Sequence, residues 1–147
     1  MIVLGIESTA HTFGVAICKE NKILSNVKSS YTTERGGIIP MEAAKHHEKI
    51  YKELIAKALE EAKTKIQDIE LISYSAGPGL GPCLRVGLKA TKEIHENHKI
   101  PFIGINHCIA HLEVGRAVTK AKDPVLLYAS GANTQIIAYE AKKYRIF

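Results

Sequence analysis

No apolar run in this chain is long enough to span a bilayer, so no membrane-crossing helix is expected within it. The opening residues, MIVLGIEST, lack the basic start and small-residue cleavage site of a secretory signal, so no leader is expected. Cysteines number only three, Cys18, Cys83 and Cys108, and none stands in a C-x-x-C spacing. An odd count without that spacing argues against a disulfide framework and for reduced thiols in a cytoplasm. Tryptophan is missing altogether, while Ile, Lys and Glu abound, a weak pointer to a heat-adapted organism. What is present suffices for a core: 147 residues, 46% of them hydrophobic and 24% charged. The net charge of +5 is compatible with nucleic-acid contact without requiring it.

Three β-type runs open the chain. IVLGIES, FGVAIC and ILSNVKSS are separated by short turns, which predicts two consecutive hairpins. TTERGGIIP, with Gly36, Gly37 and Pro40, is a loop. From Met41 to Ala62 the spacing turns helical, with Ala43, His47, Ile50, Tyr51, Leu54, Ala58 and Ala62 on one stripe. A strand at LISYSAG, the loop GPGLGP and a helix from about Cys83 to His95 follow, with Pro82 suited to the first turn. Next come the short strand PFIGI, a helix carrying two histidines, the strands VLLYASG and TQIIAYE, and the start of another at YRIF. The order βββαβαβα makes residues 1–120 an α/β layer unit of the ribonuclease-H or actin type. Residues 121–147 then repeat the opening: VLLYASGANTQIIAYE echoes IVLGIESTAHTFGVAIC. Actin-like phosphotransfer proteins consist of two such units, so 121–147 reads as the opening strands of a second lobe, truncated or completed by another chain.

The two echoing turns are ESTAHT (7–12) and SGANT (130–134). Backbone N–H groups in tight Ser/Gly turns form concave anion sites, and hydroxyls add donors. Either turn alone is more often an ordinary hairpin turn. Two at matching positions of a repeat make Glu7, Ser8 and Thr9 candidate phosphate contacts. GPGLGP reads as a rigid turn opening a helix; it lacks the Gly-Lys-Ser/Thr ending of a P-loop. Gly87 reads as a close-packing position. His46 and His47 are adjacent and face different ways, His47 as a core residue with a satisfied ring and His46 near the solvent edge. Neither is assigned a function.

In GINHCIAH (104–111), His107 and His111 share a helical face, with Asn106 as the N-cap. The zinc-protease pattern H-E-x-x-H needs a glutamate after the first histidine, and Cys108 stands there, so protease chemistry lacks its base. Two ligands are also fewer than a catalytic metal needs. On spacing alone such a pair is more often a surface or capping feature than a ligand pair.

Taken in order, GIESTAHTFGVAI, TTERGGIIPMEAAKHH, SAGPGLGPCLRVGLKA, GINHCIAHLEVGR and LLYASGANTQIIAYE resemble successive blocks of the tRNA threonylcarbamoyl transferase family. The archaeal-eukaryotic type is the nearer, the catalytic subunit of the KEOPS complex, formerly called O-sialoglycoprotein endopeptidase. The resemblance covers essentially all 147 residues. It implies the actin-like (ASKHA) fold and a metal held beside a nucleotide. The implied reaction passes a threonylcarbamoyl group from an adenylate onto N6 of the adenosine beside the tRNA anticodon. By motif, His107 and His111 resemble the family's metal-binding histidines and Tyr128 its tyrosine ligand, for one iron or zinc ion acting as a Lewis acid. Tyr128, Ala129, Ser130, Gly131, Ala132 and Asn133 resemble the loop that takes ATP or threonylcarbamoyl-adenylate. Glu7 falls where actin-like folds use a carboxylate to orient water. The implied partners are tRNA, a small dimerising subunit docked on the first lobe's helices, and a kinase subunit, all in the cytoplasm and away from membranes.

Two departures stand out. The family's turn is Ser-Gly-Gly-Asn-Thr, whereas this one has Ala132 at the second glycine, which would weaken phosphate approach. Family members also run to more than twice this length, and the remainder carries an aspartate ligand and the adenosine grip. The expectation is a split protein completed by a second chain or a shortened polypeptide, inactive by itself, its last strands carrying unpaired edges. A non-catalytic partner-docking module and an actin-like ATPase or sugar kinase are the other readings. The last does not expect the histidine pair, and fold alone does not choose among them.

Overall fold

The computed structural model describes residues 1–20, 22–130 and 133–147, Asn133 by its backbone only. They form two compact units, 1–105 and 106–147. Among the described residues no helix is long and apolar enough to cross a membrane.

The first unit opens with β1 (Ile2–Glu7), β2 (Thr12–Lys19) and β3 (Lys22–Ser30), followed by α1 (Pro40–Glu61). A single 3-10 turn at Ile66–Asp68, not foreseen from the spacing, leads to β4 (Leu71–Gly77), α2 (Gly81–His98) and β5 (Phe102–Asn106). The sheet order is β3-β2-β1-β4-β5. β1 and β2, and β2 and β3, pair antiparallel as the two expected hairpins, and β4 joins β1 in parallel after the α1 crossover. Alternation puts Leu4 opposite Ile17 and Ile6 opposite Val15, all four buried. Against them lie His47, Tyr51, Leu54 and Ala58 of α1 and Cys83, Val86, Ala90 and Ile94 of α2. The two helices are also joined at their rims. The Tyr51 hydroxyl donates to Glu93 at 2.8 Å, and Lys89 bonds Glu48. Helix α1 starts on Pro40, whose missing N–H costs nothing there. Helix α2 starts two residues earlier than the spacing suggests and stops where Lys99 turns left-handed, φ 59°.

The second unit consists of α3 (His107–Thr119), β6 (Val125–Ser130), β7 (Asn133–Glu140) and β8 (Lys143–Ile146), the strands forming an antiparallel meander in that order. The expected break near residue 120 follows α3; in the structure α3 groups with the strands after it. Cys108 and Leu112 of α3 pack on Ile137, with Leu126 and Tyr128 beside them. Glu113 ties the same helix to β8, accepting from the Tyr144 hydroxyl at 2.7 Å and from Arg116 at 2.9 Å. The opposite face of β6 and β7 leaves Val125, Leu127 and Ile136 exposed.

Candidate metal centre

Asn106 ends β5 in an extended conformation and its side chain accepts from the N–H groups of Cys108 and Ile109, at 2.9 and 3.2 Å. This satisfies two of the amides that a helix start leaves open and fixes the first turn of α3. One turn then sorts three chemical groups by face. Cys108 turns into the core, 1% exposed, and burial pushes its thiol pKa up, so it stays a neutral S–H and packs as a small apolar group. His107 and His111 come together on the other side: their Nε2 atoms are 3.2 Å apart and their rings are edge-on, 86° between planes.

Tyr128 completes the group. It leans on the Cys108–Leu112 core from β6, and its ring centroid lies 6.1 Å from His107 and 5.4 Å from His111. The contact between α3 and β6 is therefore what gathers the three. The pair passes a test of fit for an ion. Two imidazole nitrogens bound to one zinc at about 2.0–2.1 Å in near-tetrahedral geometry stand roughly 3.3–3.4 Å apart. The observed 3.2 Å is within a small adjustment of that. Without an ion, nitrogens so close require one to donate and the other to accept. Imidazole and phenol donors suit zinc or iron. No cluster of three or more His, Cys, Asp or Glu occurs among the described residues.

Beyond Tyr128, Ala129 and Ser130 end β6 in exposed positions, and Asn133 opens β7. Gly131 and Ala132, the centre of the expected nucleotide loop, lie outside the described residues.

The turn bearing Glu7, Ser8 and Thr9 belongs to the first unit. Ser8 and Thr9 are 0% and 5% exposed. The Ser8 N–H donates to Ser75 Oγ at 3.0 Å and the Thr9 N–H to Glu7 Oε1 at 2.6 Å. Both amides are therefore committed inside the fold, as in an ordinary hairpin turn. Ser75, a partner 67 residues away, was not among the residues singled out from the sequence, and no spacing signal marks it. The glycine-rich loop lies against the same turn. A Cβ on Gly79 would fall 2.5 Å from the Thr9 carbonyl, while Leu80 N–H donates to that carbonyl at 2.7 Å. This bears out GPGLGP as a structural turn and Gly87 as a packing position, since a Cβ there would meet Ser8 Oγ at 2.2 Å.

The fold is of the actin-like, ribonuclease H-like class. Solved structures with it include YeaZ from Pseudomonas aeruginosa (TM-score 0.69, 13% identity, all of this chain and 66% of that one) and an Aquifex aeolicus Ppx/GppA family member (TM-score 0.51, 15% identity, all of this chain and 50% of that one). Residues 22–147 match the family described as tRNA N6-adenosine threonylcarbamoyltransferase, and the chain belongs to that family. Relatives carrying that description include proteins of Thermococcus sibiricus, 53% identical over 147 residues, and Thermococcus kodakarensis, 50% identical. A relative from Drosophila melanogaster, described as a probable member, is 45% identical over 145 residues. The chain spans 45% of the length of each Thermococcus relative and 42% of the Drosophila one.

Proposed function

We propose that this chain supplies the metal-holding part of a tRNA N6-adenosine threonylcarbamoyltransferase, moving a threonylcarbamoyl group from threonylcarbamoyl-adenylate to N6 of the adenosine beside the anticodon. The observation that carries the reading is the convergence of His107 and His111, Nε2 to Nε2 at 3.2 Å, beside Tyr128 in a chain of this family. His107, His111 and Tyr128 would hold one iron or zinc ion, and such an ion supplies Lewis-acid polarisation of phosphate or carbamoyl oxygens. The chain's own residues do the positioning. Asn106 fixes the helix start, Leu112 sets the helix on the strands, and the exposed end of β6 offers Ala129 and Ser130 toward ATP or the adenylate; Gly131, Ala132 and Asn133 are the further candidates for that contact. Glu7 is the candidate for orienting water in the first unit.

The remaining ligands and the adenosine grip come from the rest of the enzyme, on a second chain if the protein is split. The KEOPS subunits, including the small dimerising subunit and the kinase, complete the cytoplasmic assembly in this reading. The test mixes the chain with its complementary half and measures labelled threonylcarbamoyl transfer to unmodified tRNA. Transfer is expected from the mixture and lost in His107→Ala and His111→Ala. Robust transfer by this chain alone, or transfer indifferent to both histidines, sinks the reading. Ala132, in place of the family's glycine, favours a non-catalytic docking role; zinc, iron(II) and ATP titrations that give no heat with either the chain or the mixture would support that alternative.

A further inference from the structure

His47 is fully buried on α1, and its Nε2 lies 2.8 Å from the carbonyl oxygen of Ala10, in the turn joining β1 to β2. A carbonyl only accepts, so Nε2 carries the proton, and the neutral ring leaves Nδ1 as a bare acceptor. Nδ1 is buried with no hydrogen-bond partner among the described residues. The ring packs edge-on against Phe13 of β2, centroids 5.5 Å apart.

The turn itself is pinned from several elements. Ser75 of β4 holds the Ser8 N–H, Leu80 at the start of α2 holds the Thr9 carbonyl, Tyr31 beyond β3 donates to the His11 carbonyl at 2.8 Å, and Glu7 folds back onto Thr9. His47 is the contact from α1 and, of these, the one made by an imidazole. We infer that His47 is a positioning residue: its neutral Nε2–H fixes the Ala10 carbonyl and thereby sets the β1–β2 turn that carries Glu7.

A second proton on His47 would leave an N–H at Nδ1 with nothing to accept it inside a closed core. The charged groups facing the ring are His46 on its own helix, His11 in the turn and Glu7 of β1; Phe13 of β2 presents only an apolar ring. Burial, the largest influence, lowers the pKa of His47, and its bond to Ala10 opposes that only in part. A histidine whose folded-state pKa is lowered contributes stability above its unfolded value that is lost as pH falls through the folded one. The turn should therefore hold at neutral pH and loosen on acidification below the ordinary imidazole range of about 6.5.

The inference rests on the proposed function only for its kinetic arm. The direct arm follows ring tautomer and pH titration of His47 by nitrogen-15 NMR in the 147-residue chain, together with the amide signals of Ser8, Thr9, Ala10 and His11. An Nε2–H tautomer is expected, with one step below 6.5 shared by His47 and the turn amides. His47→Gln, which keeps an N–H donor near that reach, should retain the turn signals and abolish the step. His47→Leu should shift them at every pH. In the assembled transferase, His47→Leu should lower kcat about 10–100-fold with little change in KM, and His47→Gln should restore most of it. An Nδ1–H tautomer, a midpoint at or above 6.5, or a turn unmoved in a folded His47→Leu overturns the inference. If that variant does not fold, a His47→Gln whose turn still shows the acid step overturns it equally. An assembled enzyme without transfer activity counts against the functional reading alone.

Discussion

Replacing Gly87 with alanine has a sign that depends on whether α2 really lies against the β1–β2 turn. On an exposed helix the change would stabilise by about 1 kcal/mol, because glycine is the poorer helix former. Here the new methyl would lie 2.2 Å from Ser8 Oγ, 3.1 Å from Ser8 Cβ and 3.7 Å from Ile6 Cγ2. The hydroxyl can rotate away, but two carbons at that separation must part by roughly half an ångström to reach a normal contact of about 3.5–4.0 Å. Ser8 is fully buried and has its N–H tied to Ser75, so the helix rather than the turn must yield. Overpacking of this kind costs about 1–3 kcal/mol, leaving a net loss near 1 kcal/mol after the helix gain. For a domain of this size that lowers Tm by about 3–5 °C. Thermal unfolding followed by circular dichroism reads it directly. In a Ser8→Gly background both clashing atoms are gone, and the same Gly87→Ala change should become stabilising, a coupling of about 2 kcal/mol. A Gly87→Ala chain with a higher Tm than the parent would refute the packing argument.

His111→Ala should abolish calorimetric binding of zinc or iron(II), and binding to the parent should weaken in acid because imidazolium does not ligate; unchanged metal affinity removes the site. Leu112→Ala, taken at a position 2% exposed, should cost about 2–4 kcal/mol and, in so small a core, release α3 from β6. Loss of hydrogen-exchange protection confined to residues 106–147 would show it. Lys99→Gly should stabilise by about 0.5–1 kcal/mol, since Lys99 ends α2 in a left-handed conformation, φ 59°, that suits glycine; a lower urea midpoint contradicts this. The Tyr51 phenol is raised to about 12 by burial and by its bond to Glu93, so the stability it adds should be full below about 10 and fade as pH rises toward 12. Tyr51→Phe should remove that alkaline dependence in unfolding measured across the window.

The hairpins, the α1 stripe and the echoing strands were legible because period-2 and period-3.6 alternation are local, and each element buries the residues its period selects. His107 and His111 were legible as a pair for the same reason. Tyr128 was not: its place depends on Leu126 and Ile137 meeting Cys108 and Leu112, and only the family resemblance pointed to it. The first turn shows less in its sequence. ESTAHT has the composition of an anion cradle, and the structure ties its Thr9 amide to Glu7 and its Ser8 amide to Ser75 of a distant strand. His47 was expected as a core residue with its ring satisfied; one nitrogen is, and the other has no partner among the described residues. Such long-range hydrogen bonds leave no periodic trace.

In the proposed metal site, the inward turn of Cys108 would govern which ions the histidine pair favours. A thiolate alongside two imidazoles would draw thiophilic cations such as cadmium or copper(I) and hold them hard. With that sulfur packed beneath the helix, an ion held by His107 and His111 would meet imidazole nitrogen rather than sulfur on that turn of α3. Oxygen donors, the Tyr128 phenol first among them, would complete the coordination in that reading.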